Sequence, residues 1–146
     1  MSMSNSAETA FLQLLFTNAA WTGVGDAGGL LPSAGAGSFY VSLHTADPGE
    51  AGTQATSECA YTGYARVAVA RSGAGFSVSS DTVSNLITLT FGQCTAGVET
   101  ATYAGIGVAS AGATALLFSG ALSSSLLIQS PTQPVIAIGT FTVQVN

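Results

Sequence analysis

Lysine is missing from this chain of 146 residues, and arginine occurs only twice. Seven acidic residues and one histidine leave a formal charge of -5. No basic surface exists to neutralise phosphates or anionic headgroups, so nucleic acid and anionic membrane surfaces are excluded as partners. Charge of either sign is scarce: 6% of the residues carry one, against roughly a quarter in an ordinary soluble domain. From Thr100 to Asn146 there is none. Much of the exterior must therefore be Ser, Thr, Gly, Ala and apolar atoms, a surface better suited to being covered than to facing water.

Long apolar runs are lacking too. Ala115 to Phe118, Leu126 to Ile128 and Val135 to Ile138 all fall far short of the roughly 20 residues of a membrane-crossing helix. Met1 to Thr9 has no basic residue, so a secretory leader is not expected. Cys59 and Cys94 are too few for a disulfide framework and read as reduced thiols. With a single histidine they do not supply a metal ligand set, and no metal or cofactor is expected.

What charge there is lies mostly in one segment. Asp47, Glu50, Glu58, Arg66 and Arg71, with His44, fall between Phe39 and Arg71. The three carboxylates share one turn-rich loop instead of separated strand ends, which disfavours a glycosidase pair. Calcium is disfavoured as well, because Asp47 and Glu50 lack the dense oxygen spacing of calcium loops. The expectation is structural: Asp47 or Glu58 pairs with Arg66 or Arg71 and pins the loop to its sheet. His44 is the only candidate base, and no G-x-S-x-G elbow accompanies it. It is expected to be an outward strand residue bonded to a neighbouring loop, and the chain is not expected to be an enzyme.

Periodicity sets the elements. Ala7, Ala10, Phe11, Leu14, Leu15 and Ala19 follow helical spacing, with Asn5 and Glu8 as a capping pair. Leu12, Phe16 and Trp21 widen the apolar face. A Gly-rich passage follows, in which Gly23, Gly25 and Gly28 match G-x-G-x-x-G; the motif follows a helix and opens a loop, the wrong context for a dinucleotide site. From Phe39 the pattern alternates, with Phe39, Val41 and Leu43 facing a core. Further strands are expected at Tyr64 to Arg71, Phe76 to Ser79, Leu86 to Phe91, Thr102 to Ala109, Ala115 to Ser119, Leu126 to Gln129 and Val135 to Val145. The fold class expected is mainly β: one jelly-roll-like β-sandwich domain over 1–146, with an N-terminal α-helix over 5–20, a Gly-rich loop over 23–38 and the sandwich over 39–146. An uncharged exposed edge invites a partner. Phe11, Leu12, Leu15, Phe16, Trp21, Ile136 and Ile138 are the candidate subunit interface of a homo-oligomer, dimer or trimer.

Phe39 to Gly52, with its His-Thr-Ala-Asp-Pro-Gly run, and Cys59 to Arg71 resemble a family of small structural proteins of tailed bacteriophages. The likeness extends through Glu8 to Phe16, Tyr103 to Gly107 and Leu116 to Leu122. Gly139 to Asn146 departs from it in having no acidic residue. Members commonly carry the label "tail fibre-like", yet the chain has no repeat suited to a fibre shaft and is more similar to jelly-roll cement proteins. The resemblance implies a virion protein, made in the bacterial host cytoplasm, that decorates the phage head and binds the major capsid protein. The alternative it implies is a tail-tip or tail-fibre-associated binding module that touches a host saccharide through Tyr61 and Tyr64.

Overall fold

The computed structural model describes residues 2–145. Met1 and Asn146, both within the 1–146 span expected of the domain, lie outside the described residues. The chain forms one helix, α1 (Asn5–Thr17), and nine strands: β1 (Ser38–His44), β2 (Val67–Ala70), β3 (Phe76–Ser79), β4 (Thr82–Asn85), β5 (Leu89–Thr90), β6 (Val98–Gly107), β7 (Leu116–Gln129), β8 (Val135–Ile136) and β9 (Thr142–Gln144). They belong to two compact units. Among the described residues, one comprises 2–38, 69–88 and 137–145, the other Phe39–Ala68 and Leu89–Ile136.

In the first unit, α1 is capped one residue earlier than expected, at Ser4. Ser4 is extended, and its side chain accepts the Ala7 N–H, so Asn5 is already helical and the reciprocal Asn5–Glu8 pair does not form. The helix stops at Thr17 and not at residue 20. Asn18 turns left-handed at φ 56 and donates its N–H to the Gln13 carbonyl, a conformation asparagine tolerates better than most residues. Leu12 and Phe16 are fully buried. Phe16 meets Phe76 edge to face at 5.1 Å, which sets α1 against β3 and β4. The sheet order here is β3-β4-β9.

The second unit is built on a four-stranded sheet of order β2-β1-β6-β7, in which β6 runs antiparallel to both β1 and β7. Phe39, Val41 and Leu43 are buried, as alternation requires. Ser42 and His44 are also buried, so β1 is covered on both faces. A two-stranded pair, β5-β8, completes the set. The chain is thus mainly β, in antiparallel sheets of four, three and two strands, where a jelly roll would have two sheets of four.

Two strands expected to be separate, at 115–119 and 126–129, are one long strand, β7. The single strand expected over 135–145 is two short ones. Gly139 takes φ 76 and donates to the Asn85 carbonyl, and that turn interrupts the alternating run.

Candidate functional site

Glu58 sits beside the end of β1, bridged to His44. Its carboxylate accepts from Arg66 twice, Nε at 2.6 Å and Nη2 at 2.7 Å, and from the Tyr64 hydroxyl at 2.8 Å. This two-pronged geometry is the strong form of an arginine–carboxylate pair. The Arg66 side chain is 2% exposed, and burial without further partners would be costly. Those partners are the carbonyls of Ala109, 2.9 Å from Nη1, and Gly112, 2.8 Å from Nη2. The hydrogen bonds that Arg66 donates to Glu58 hold the guanidinium charged more firmly than usual, and burial opposes them.

The same 109–114 turn is held from the other side by Gln54, which is fully buried. Its carbonyl oxygen accepts from Thr114 Oγ1 at 2.7 Å and from the Ala109 N–H at 3.1 Å, while its amide donates to the Tyr40 carbonyl. Gly107 makes this possible, since a Cβ there would lie 2.2 Å from Gln54 Cδ.

Ser42 Oγ lies 2.8 Å from His44 Nε2, and His44 Nδ1 lies 2.8 Å from the Thr56 carbonyl. A carbonyl only accepts, so Nδ1 carries the proton and Ser42 donates to Nε2. The order nucleophile, base, orienter imitates a hydrolytic dyad. Both residues are 0% exposed, so no substrate reaches them, and burial lowers the His44 pKa and keeps the ring neutral. His44 is bonded to its neighbouring loop but points inward, contrary to the outward placement expected. Gly105 leaves the space, because a Cβ there would come within 2.9 Å of His44 Nε2.

Glu99 accepts from the backbone N–H groups of Ala60 and Tyr61 and fixes the 59–61 segment. Burial, then the nearby Glu99 charge, pushes the Cys59 thiol up to about 12, which makes it inert as a nucleophile. Tyr61 is 4% exposed. Its ring meets Tyr64 edge to face at 5.3 Å, and Tyr64 stacks on Phe91. The two tyrosines therefore pack on each other and on Phe91 and are not the open stacking platform that contact with a saccharide requires. Beside them lies a cleft of about 330 Å³ lined by Glu58, Tyr61, Tyr64, Arg66, Ser110 and Gly112.

The remaining candidates lie elsewhere. Asp47 accepts the Gly49 N–H at 2.9 Å and closes its own turn, where an asparate–Pro–Gly sequence already dictates the bend. Arg71 belongs to the first unit. It donates to the carbonyls of Leu14, Leu15 and Ala36 and to Ser33 Oγ. The end of α1 offers unsatisfied carbonyls and the negative pole of the helix, which serve a guanidinium as a carboxylate would. Glu58 and Arg66 are thus brought together, and Asp47 and Arg71 stand outside their network.

Among the interface candidates, Leu12 and Phe16 are filled in by their own chain and present no surface. Phe11, Leu15, Trp21 and Ile136 are half-buried, and Ile138 is 57% exposed. No group of three or more metal-binding side chains occurs among the described residues. No helix among them is long and apolar enough to cross a membrane. Gln54, Glu99 and Asn85 were not foreseen; only Glu99, the last charge before the silent third of the chain, left a mark in the sequence.

Residues 2–144 match the model of a protein family described as podophage GP4 fiber I protein gp80. No curated protein matches the chain.

Proposed function

The chain belongs to the podophage GP4 fiber I protein gp80 family, which makes it a structural protein of a tailed-phage particle, and we propose that it serves there as a fibre-associated module of the tail. The observation that carries this reading is the extent of the match, residues 2–144, to a family described by its fibre. That description favours the tail-associated alternative over a cement role on the head lattice. An architectural role is supported by the sealed Ser42–His44 pair, the protonated Cys59 thiol and the tying of each arginine to backbone carbonyls.

Immunogold labelling of purified virions with an antibody to this chain tests the proposal. Gold confined to the tail, with a copy number per particle in the range of fibre components and not of capsid subunits, is expected. Label spread over the head at a copy number near that of the major capsid protein would overturn it and restore the cement reading.

A further inference from the structure

Gln54 and Thr114 meet across a short antiparallel contact. The Gln54 N–H donates to the Thr114 carbonyl at 2.9 Å, and the neighbouring residues Thr53 and Ala115 form a bridge, so the two side chains leave directly opposed positions. In such a pair the Cβ atoms are about 4.5–5.5 Å apart. Gln54 is fully buried, and the Gly107 backbone closes over its carboxamide. The group is held where it is.

The polar atoms around it are arranged as nucleophile, electrophile and oxyanion donor. Thr114 Oγ1 lies 2.7 Å from Gln54 Oε1. A carboxamide C=O is about 1.23 Å long, so the hydroxyl oxygen is at most about 3.9 Å from Cδ, close to the roughly 3–3.5 Å of a near-attack arrangement. The Ala109 N–H points at the same Oε1 from 3.1 Å, where negative charge develops when a carbonyl is attacked. The amide nitrogen, which would be the leaving group, is oriented by the Tyr40 carbonyl. Arg66 Nη1 stands 3.5 Å from Thr114 Oγ1, a cation beside the oxygen that gives up its proton. Groups fixed in this way react with effective molarities of about 10⁵–10⁸ M, an advantage that a dissolved alcohol lacks.

We propose that Thr114 and Gln54 join in an ester cross-link. Thr114 Oγ1 forms a bond to Gln54 Cδ and passes its proton to Oε1, the atom to which it is already hydrogen-bonded. The tetrahedral carbon then collapses: the C=O bond re-forms, the proton moves on to Nε2, and the Cδ–Nε2 bond breaks to release ammonia. Nothing is oxidised or reduced, and no co-reactant is consumed. Ammonia leaves past the 110–113 turn, whose residues are all exposed. The bond ties the 53–56 loop to the 109–114 turn and restricts the unfolded chain by closing a long loop. A chain without lysine cannot tie itself through a lysine amide, and an ester between Thr and Gln needs none. The link serves the fold wherever on the particle the protein sits.

Intact mass and tryptic fragmentation of the purified full chain test this. The expected mass is lower than that of the sequence by one ammonia. Trypsin cuts the denatured chain only after Arg66 and Arg71, which places Gln54 and Thr114 in separate fragments, 1–66 and 72–146. These should stay joined under denaturing conditions and come apart in hydroxylamine, which cleaves esters. Reductant is present throughout, because Cys59 and Cys94 also fall one in each fragment. Thr114→Val, checked for folding by circular dichroism, should have its full mass and yield two free fragments, whereas Thr114→Ser keeps the hydroxyl and should keep the link. A wild-type chain of full sequence mass, wild-type fragments that separate without hydroxylamine, or joined fragments in Thr114→Val would overturn the inference.

Discussion

Arg66 is the side chain that ties Glu58 to the 109–114 turn. Replacing it with Met leaves the Glu58 carboxylate without its counter-charge and the Ala109 and Gly112 carbonyls without donors. Removing one partner of a buried ion pair costs about 3–5 kcal/mol, and urea denaturation of Arg66→Met should show a loss of that size. Replacing both partners, Arg66→Met with Glu58→Leu, should recover part of it, since the remaining penalty is then chiefly the lost loop contacts. Acid and base have separate sites of action. The His44 pKa is lowered in the folded chain, so as pH falls through about 6.5 the unfolded chain takes up the proton first. Stability present above that pH is lost below it, and this acid limb should vanish in His44→Gln. In the other direction burial pushes Cys59 and Tyr61 each up to about 12, while their unfolded counterparts ionise near about 8.5 and 10. Stability should therefore decline as pH rises through that lower range and continue to fall until the folded groups titrate. Urea midpoints measured from pH 5 to 11 would trace both limbs.

Elements were legible where side chains alternate or recur strongly and hidden where they are small. β1 and β3 follow from the alternation of Phe39, Val41 and Leu43 and of Phe76 and Val78. The middle of β7 does not, because Ser119 to Ser125 carries the residues of a turn, and its pairing with β6 is broken between Ala121 and Leu126. The break at Gly139 was hidden for a different reason. Val135 to Val145 alternates well enough for one strand, but Asn85, fully buried, gathers the 137–141 turn from a distance. Its amide donates to the Ile87 and Ala137 carbonyls, and its oxygen accepts the Phe141 N–H. An uncharged amide that acts across some fifty positions leaves no local trace. Asn85→Ala would strand those three groups, each worth about 1–3 kcal/mol when buried and unpaired, and should unfold the chain at markedly lower denaturant. Ser4→Ala is the milder counterpart, with an expected cost of about 0.5–2 kcal/mol for a lost helix cap.

For the molecule as a whole, scarcity of charge was the most informative property in the sequence. With so few ionic groups the pairing of Glu58 with an arginine was foreseeable, while the choice of Arg66 over Arg71 depended on which carbonyls lay nearby. Glu58–Arg66 is the one salt bridge found among the described residues, and buried pairs are little screened by salt. The unfolding free energy should accordingly shift by less than about 0.5 kcal/mol between dilute buffer and 1 M sodium chloride, a range over which exposed ion pairs lose most of their modest worth. The two arginines have a further consequence. Trypsin cuts only after lysine or arginine, so Arg66 and Arg71 are the sole points at which it can attack, and each is clasped by several carbonyls in the native fold. Digestion should proceed at the rate at which the protein opens, which makes the intact chain resistant to basic-specific proteases in the extracellular settings a phage particle crosses.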